Sequence, residues 1–77
     1  LFNAAEYELR LELDVSISRG GSFLLEDATL VAQRVYAVDS NNLSASYEEQ
    51  AQLLSDMRVN LAKQLIRRVN FLAGPAP

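Results

Sequence analysis

Residues 5–17 alternate without a break. Ala5, Tyr7, Leu9, Leu11, Leu13, Val15 and Ile17 are apolar, while Glu6, Glu8, Arg10, Glu12, Asp14 and Ser16 are polar. Successive side chains of a strand point to opposite faces, so a period of two over this length reads as a strand with one packed face and one wet face. That is the pattern of an antiparallel sheet covered on one side only. Such a strand spans about 43 Å.

Arg19, Gly20, Gly21 and Ser22 follow as a turn, because paired glycines supply positive φ without steric cost. Phe23 to Asp27 reads as a prolongation of that loop. A second strand is expected from about Ala28 to Val38, rich in Val, Thr and Tyr. Its alternation is weaker: Leu30, Ala32, Tyr36 and Val38 share a face with Arg34, and Val31, Val35 and Ala37 share the other with Thr29 and Gln33. On the wet side Arg34 would pair across the hairpin with Glu12 or Asp14, but the register is open. Asp39, Ser40, Asn41 and Asn42 then break the strand.

A long amphipathic helix is expected over about residues 45–73. At about 100° per residue, Tyr47, Leu54, Leu61, Leu65 and Leu72 fall on one line, flanked by Met57 on one side and by Val69, Ala51 and Ala62 on the other. Glu49, Gln52, Asp56, Asn60, Lys63, Arg67 and Asn70 form the solvated side. Arg58 and Arg68 lie within about 40° of the Leu54 line, among the leucines. Their ordinary role would be to snorkel, with methylenes on the apolar surface and the guanidinium reaching a strand carboxylate or water. Ser46 and Glu49 have capping-box spacing, with Asn42 or Ser44 as alternative caps. Glu48, Glu49 and Asp56 precede Arg58, Lys63, Arg67 and Arg68, the order that the helix dipole favours. Gly74 before Pro75 is the stop signal.

The expected architecture is therefore α+β: an antiparallel β-hairpin packed by one long C-terminal helix, in the order β-β-α. The 77 residues leave room for one small domain, or the C-terminal part of one. An isolated two-stranded sheet is marginal, and its open edges template further strands. Strands missing from this chain, or supplied by a second copy, would complete the sheet, so self-association of this piece is expected. A first residue of Leu rather than Met fits a piece of something longer.

Composition excludes much chemistry. With no Cys and no His there is no disulfide, thiol nucleophile, Ser-His pair or Cys-type zinc site. No Gly-rich phosphate loop follows a strand, and a net charge of −3 gives no footprint for nucleic acid. Glu6, Glu8, Glu12 and Asp14 would have to converge to bind a hard cation or act as an acid–base pair, whereas their alternation describes a solvated strand face. Neither a cofactor nor a metal is expected. The charge is uneven: all ten acidic residues lie in residues 1–56, and residues 57–77 carry Arg58, Lys63, Arg67 and Arg68 with no acid. No apolar run reaches the length of a membrane-spanning helix, and these residues show no signal-peptide pattern.

Three runs of the helical segment, Glu48-Glu49-Gln50, Asp56-Met57-Arg58 and Ala62-Lys63-Gln64-Leu65-Ile66-Arg67-Arg68-Val69, are the first signs of a family. With Ala5-Glu6-Tyr7 opening the first strand, and Arg34, Tyr36, Asp39 and Asn42 before the helix, this order and spacing resembles the C-terminal portion of the lipopolysaccharide-assembly lipoprotein family, LptE. The resemblance covers nearly the whole chain. It implies a non-catalytic component of lipopolysaccharide transport on the periplasmic side of the outer membrane, plugging and supporting an LptD-type barrel. It also implies a sheet of about four strands covered by two helices, of which this chain would be half, and a lipid anchor on a Cys that these residues do not contain. If lipopolysaccharide phosphates are bound, the candidates are Arg58, Arg68, Arg67, Arg34 and Arg19, since guanidinium suits bidentate phosphate contact. Contacts with a barrel wall would use Tyr36, Tyr47 and Phe23. The alternative function is a periplasmic or cytosolic protein–protein interaction module that dimerises through its sheet edge.

Overall fold

The computed structural model describes residues 4–74, in the order β1 (Ala4–Arg19), β2 (Ser22–Asp39) and α1 (Leu43–Ala73). The two strands form one antiparallel hairpin and the helix lies on one face of it, an α+β arrangement in the order β-β-α. Residues 1–3, and Pro75 of the helix stop signal, lie outside the described residues.

The turn is two residues long, and both Gly20 (φ 57°) and Gly21 (φ 83°) are left-handed. Positive φ at both central positions matches the twist of the flanking strands, which explains the paired glycines. From that turn the register sets Tyr7 opposite Tyr36, Leu9 opposite Arg34, Leu11 opposite Ala32 and Leu13 opposite Leu30. The other face pairs Glu6 with Ala37, Glu8 with Val35, Arg10 with Gln33, Glu12 with Val31, and Asp14 with Thr29.

β2 starts at Ser22, not near Ala28. Residues that read as loop are instead absorbed by two register shifts, between Val15 and Ile17 and between Ile17 and Ser18. Asp27 takes a positive φ of 51° there, and its amide donates to Ser16 Oγ at 3.2 Å. A bulge accommodates an extra residue while the ladder continues on both sides of it.

α1 runs back along β2. Ser46 Oγ accepts from the Asp39 amide at 3.2 Å near one end, and Gln64 Nε2 donates to the Val31 carbonyl at 3.0 Å further along. The buried apolar core is Leu30 and Ala32 from β2 with Met57 and Leu61 from α1. Leu9, Leu11, Val15, Leu54 and Leu65 pack around it, half-buried. Among the described residues the buried apolar sheet residues, Leu30 and Ala32, both belong to β2, and β1 is only partly covered.

The packed stripe of the helix is turned from the expected leucine line. Met57 is fully buried, whereas Leu54, Leu65 and Leu72 are half-buried and Tyr47 is exposed. Gln50, Asn60 and Gln64 are half-buried within the stripe, although Asn60 reads from sequence as solvated. The reason is polar satisfaction: Gln64 Nε2 bridges Asn60 Oδ1 at 2.7 Å and the Val31 carbonyl, so these amides reach the sheet without losing hydrogen bonds. Met57, long and unbranched, is buried in one cluster with Leu30, Ala32 and Leu61.

The N-cap is Asn42, whose Oδ1 accepts from the Ala45 amide at 3.3 Å. Ser46 is not a cap. It lies inside the helix, buried, and donates to the Asn42 carbonyl at 3.3 Å while accepting from Asp39. Because the helix begins at Leu43 and ends at Ala73, its first turn holds no acid and its last turn no base. The charges counted on for the dipole therefore sit further inside, where that effect has decayed. Gly74 (φ 73°) closes the helix, its amide donating to the Phe71 carbonyl at 3.3 Å.

Candidate functional site

The five candidate arginines are all exposed and do not form one cluster. Arg67 and Arg68 are adjacent on the last third of α1, and with Gln64 and Phe71 they line an open cleft of about 460 Å³. Phe71 offers an aromatic ring that is 83% exposed. Gln64 fixes this stretch of helix to β2 through the Val31 carbonyl, so both guanidinium groups extend from an anchored backbone. Two guanidinium groups beside an apolar ring can take an anionic group and an adjoining apolar surface together.

Arg34 lies elsewhere. Opposite Leu9, it is on the apolar face of β2, not on the wet face where Glu12 or Asp14 would meet it. Its Nη1 donates to the Gln33 carbonyl at 2.6 Å, and its side chain lines a smaller groove of about 240 Å³ with Asp56, Val59, Asn60 and Lys63. Arg19 flanks the glycine turn at the far tip of the hairpin. Arg58 is exposed on the flank of the helix.

Arg58 and Arg68 are not embedded among buried leucines. Both are exposed, and neither forms an ion pair with a strand carboxylate. Among the described residues the ion pair is Arg10 Nε with Glu12 Oε1 at 2.7 Å, two residues apart on the wet face of β1. The strand carboxylates are dispersed: Glu8 accepts from Gln33 Nε2 at 2.9 Å, Asp14 accepts from Thr29 at 2.8 Å, and Glu12 holds Arg10. No group of three or more acidic residues converges as a metal site among the described residues.

The aromatic candidates divide between the ends. Tyr36 is half-buried and its ring lies 5.9 Å from that of Tyr7, tilted by 34°. Tyr47, 66% exposed, projects from the early part of α1 at the same end of the molecule. Phe23, 59% exposed, is next to the glycine turn at the opposite end. Sequence reading did not pick out Gln64, Phe71 or Lys63. The signal available for Phe71 was its spacing of three and four from Arg68 and Arg67, which sets neighbours on one helical face.

Among the described residues, no helix is long and apolar enough to cross a membrane. Neither the curated proteins nor the solved structures include a match to this chain. A family model described as LptE, lipopolysaccharide assembly, matches residues 2–69. That match takes in both strands and the helix as far as Val69, in the order and spacing described above, and the chain belongs to the LptE lipopolysaccharide-assembly family.

Proposed function

We propose that this chain acts without catalysis in lipopolysaccharide assembly at the periplasmic side of the outer membrane, as part of a plug that supports an LptD-type barrel. The observation that carries this reading is the family match across residues 2–69. The sheet and helix supply a rigid, elongated body, 61 Å in its longest dimension, of the sort that can lie along a barrel wall. Tyr36, Tyr47 and Phe23 are the proposed wall contacts.

Lipopolysaccharide phosphate is proposed to meet the Arg67–Arg68 cleft first, because that cleft joins two cations to the exposed Phe71 ring. Arg58, Arg34 and Arg19 are secondary candidates. Electrostatic contact of this kind weakens with salt, as screening shortens the reach of exposed charges.

Two measurements test the reading. Co-purification of the full-length protein with its LptD-type barrel is expected, and a stable assembly indifferent to the barrel would refute the plug. Lipopolysaccharide binding by an Arg67→Ala, Arg68→Ala variant is expected to fall at least about tenfold with unchanged thermal stability, since both side chains are exposed and, among the described residues, neither is in an ion pair. Binding equal to that of the parent would remove the cleft from the site.

A further inference from the structure

Where α1 passes over β2, a second groove holds a different set of charges from the Arg67–Arg68 cleft. Arg34 of β2 and Asp56, Val59, Asn60 and Lys63 of α1 line about 240 Å³. Asp56, Asn60 and Lys63 follow one another at helical spacings of four and three, so they share one face of the helix. From Asp56 to Lys63 is two turns, about 10 Å along the axis.

Three of the polar groups are each steadied by one neighbour. Arg34 Nη1 donates to the Gln33 carbonyl, Gln52 Nε2 donates to Asp56 Oδ1 at 3.0 Å, and Gln64 Nε2 donates to Asn60 Oδ1 at 2.7 Å. These bonds leave most of the Arg34 fork, the second carboxylate oxygen of Asp56 and the Asn60 amide N–H groups with capacity for a ligand. Among the described residues none of Arg34, Asp56 and Lys63 is in an ion pair. Opposite charges thus line one small groove without pairing to each other.

Two cations against one carboxylate select among ligands. A phosphate monoester, with up to two negative charges, meets repulsion from Asp56, and a simple ammonium meets it from Arg34 and Lys63. A molecule with an ammonium at one end and a singly charged phosphodiester at the other satisfies all three groups. With a two-carbon spacer between its charges and a charge-assisted hydrogen bond at each end, it matches the two-turn span. The groove is smaller than the ~300 Å³ at which drug-sized sites begin, which suits a headgroup of this size.

We propose that this groove binds a zwitterionic amino phosphodiester, Asp56 taking the ammonium and Arg34 and Lys63 the phosphate. Asn60 donates to a phosphate oxygen, and Val59 lies against the carbon spacer. The site is separate from the Arg67–Arg68 cleft and does not rest on the lipopolysaccharide reading.

The test titrates the isotope-labelled 77-residue chain with glycerophosphoethanolamine, and with glycerophosphocholine and glycerophosphoglycerol as controls that lack an ammonium N–H. The amides of Arg34, Asp56, Asn60 and Lys63 are expected to shift, and the ethanolamine diester should bind at least about fivefold more tightly than either control. Asp56→Asn should erase that preference, Arg34→Gln with Lys63→Gln should lose all three probes, and Arg67→Ala with Arg68→Ala should bind as the parent does. The three groove side chains are exposed, so unchanged melting temperatures verify that the variants keep the fold. Vesicles of equal parts phosphatidylethanolamine and phosphatidylcholine, against phosphatidylcholine alone, separate the sources. A gain on the mixed vesicles assigns a membrane headgroup, and binding of the soluble diester alone assigns a free one. Equal affinity for the three probes, a preference that survives Asp56→Asn, or shifts confined to residues around Phe71 would overturn the proposal. So would the absence of any shift, the result expected if Arg34 and Asp56 close on each other.

Discussion

At the scale of single residues, stability depends on very few side chains. Among the described residues Met57 is the one large side chain with no exposed surface, and it belongs to a core that otherwise buries Leu30, Ala32 and Leu61. Replacing it removes transfer free energy and leaves a void that a helix anchored at Ser46 and Gln64 cannot easily collapse. Met57→Ala is expected to cost about 2–5 kcal/mol, which for a chain of this size approaches the whole margin of stability. Ile66→Ala deletes a side chain of similar size that is 58% exposed, and should cost under about 1 kcal/mol. Urea denaturation followed by far-UV circular dichroism distinguishes them. Similar midpoints for the two variants would mean that Met57 is not the packing centre.

At the scale of elements, the irregular part of the hairpin carries its own prediction. Asp27 holds φ at 51°, a region that costs a β-branched residue most and glycine nothing. Asp27→Val should therefore destabilise by about 1–2 kcal/mol, and Asp27→Gly should be neutral or slightly stabilising, read as shifts in melting temperature. Equal effects of the two would show that the bulge relaxes when the residue changes. The same element marks the limit of what sequence could tell. The alternation of residues 5–17 and the glycine pair were enough for β1, the turn and the packed face. A bulge, by contrast, depends on which cross-strand pairs win, and Glu26-Asp27 looks like loop composition in isolation. The helix was legible in existence and direction but not in rotation. Its leucines alone suggest a stripe along Leu54, whereas the partner is a narrow sheet face buried at Leu30 and Ala32, which takes Met57 and Leu61 and tolerates hydrogen-bonded Asn60 and Gln64. The candidate site followed the same logic. Arg67 and Arg68 could be named from charge, but their cleft also needed Phe71, which apolar patterning assigns to no face.

At the scale of the whole molecule, shape decides how it comes apart. The described residues measure 61 × 22 × 13 Å with a radius of gyration of 17.8 Å, against about 11–12 Å for a compact domain of this length. Little of so thin a body is distant from water, and what is buried gathers midway along β2. The hairpin tip, with Phe23 and Leu24 exposed and Ile17 and Leu25 half-buried, contributes no residue to that core. Backbone ladders without apolar cover open at low free energy, whereas those under a packed helix open only with the whole fold. Hydrogen exchange of the 77-residue chain should therefore be graded. Amides near Leu30, Ala32, Met57 and Leu61 should exchange slowest, and those of residues 17–25 faster by at least about one order of magnitude, although both sets lie within regular structure. Met57→Ala should collapse that difference by accelerating the centre while leaving the tip as it was. A tip as protected as the centre would show instead that the bulged hairpin is held by its own cross-strand pairs, and that the helix is not the main source of stability.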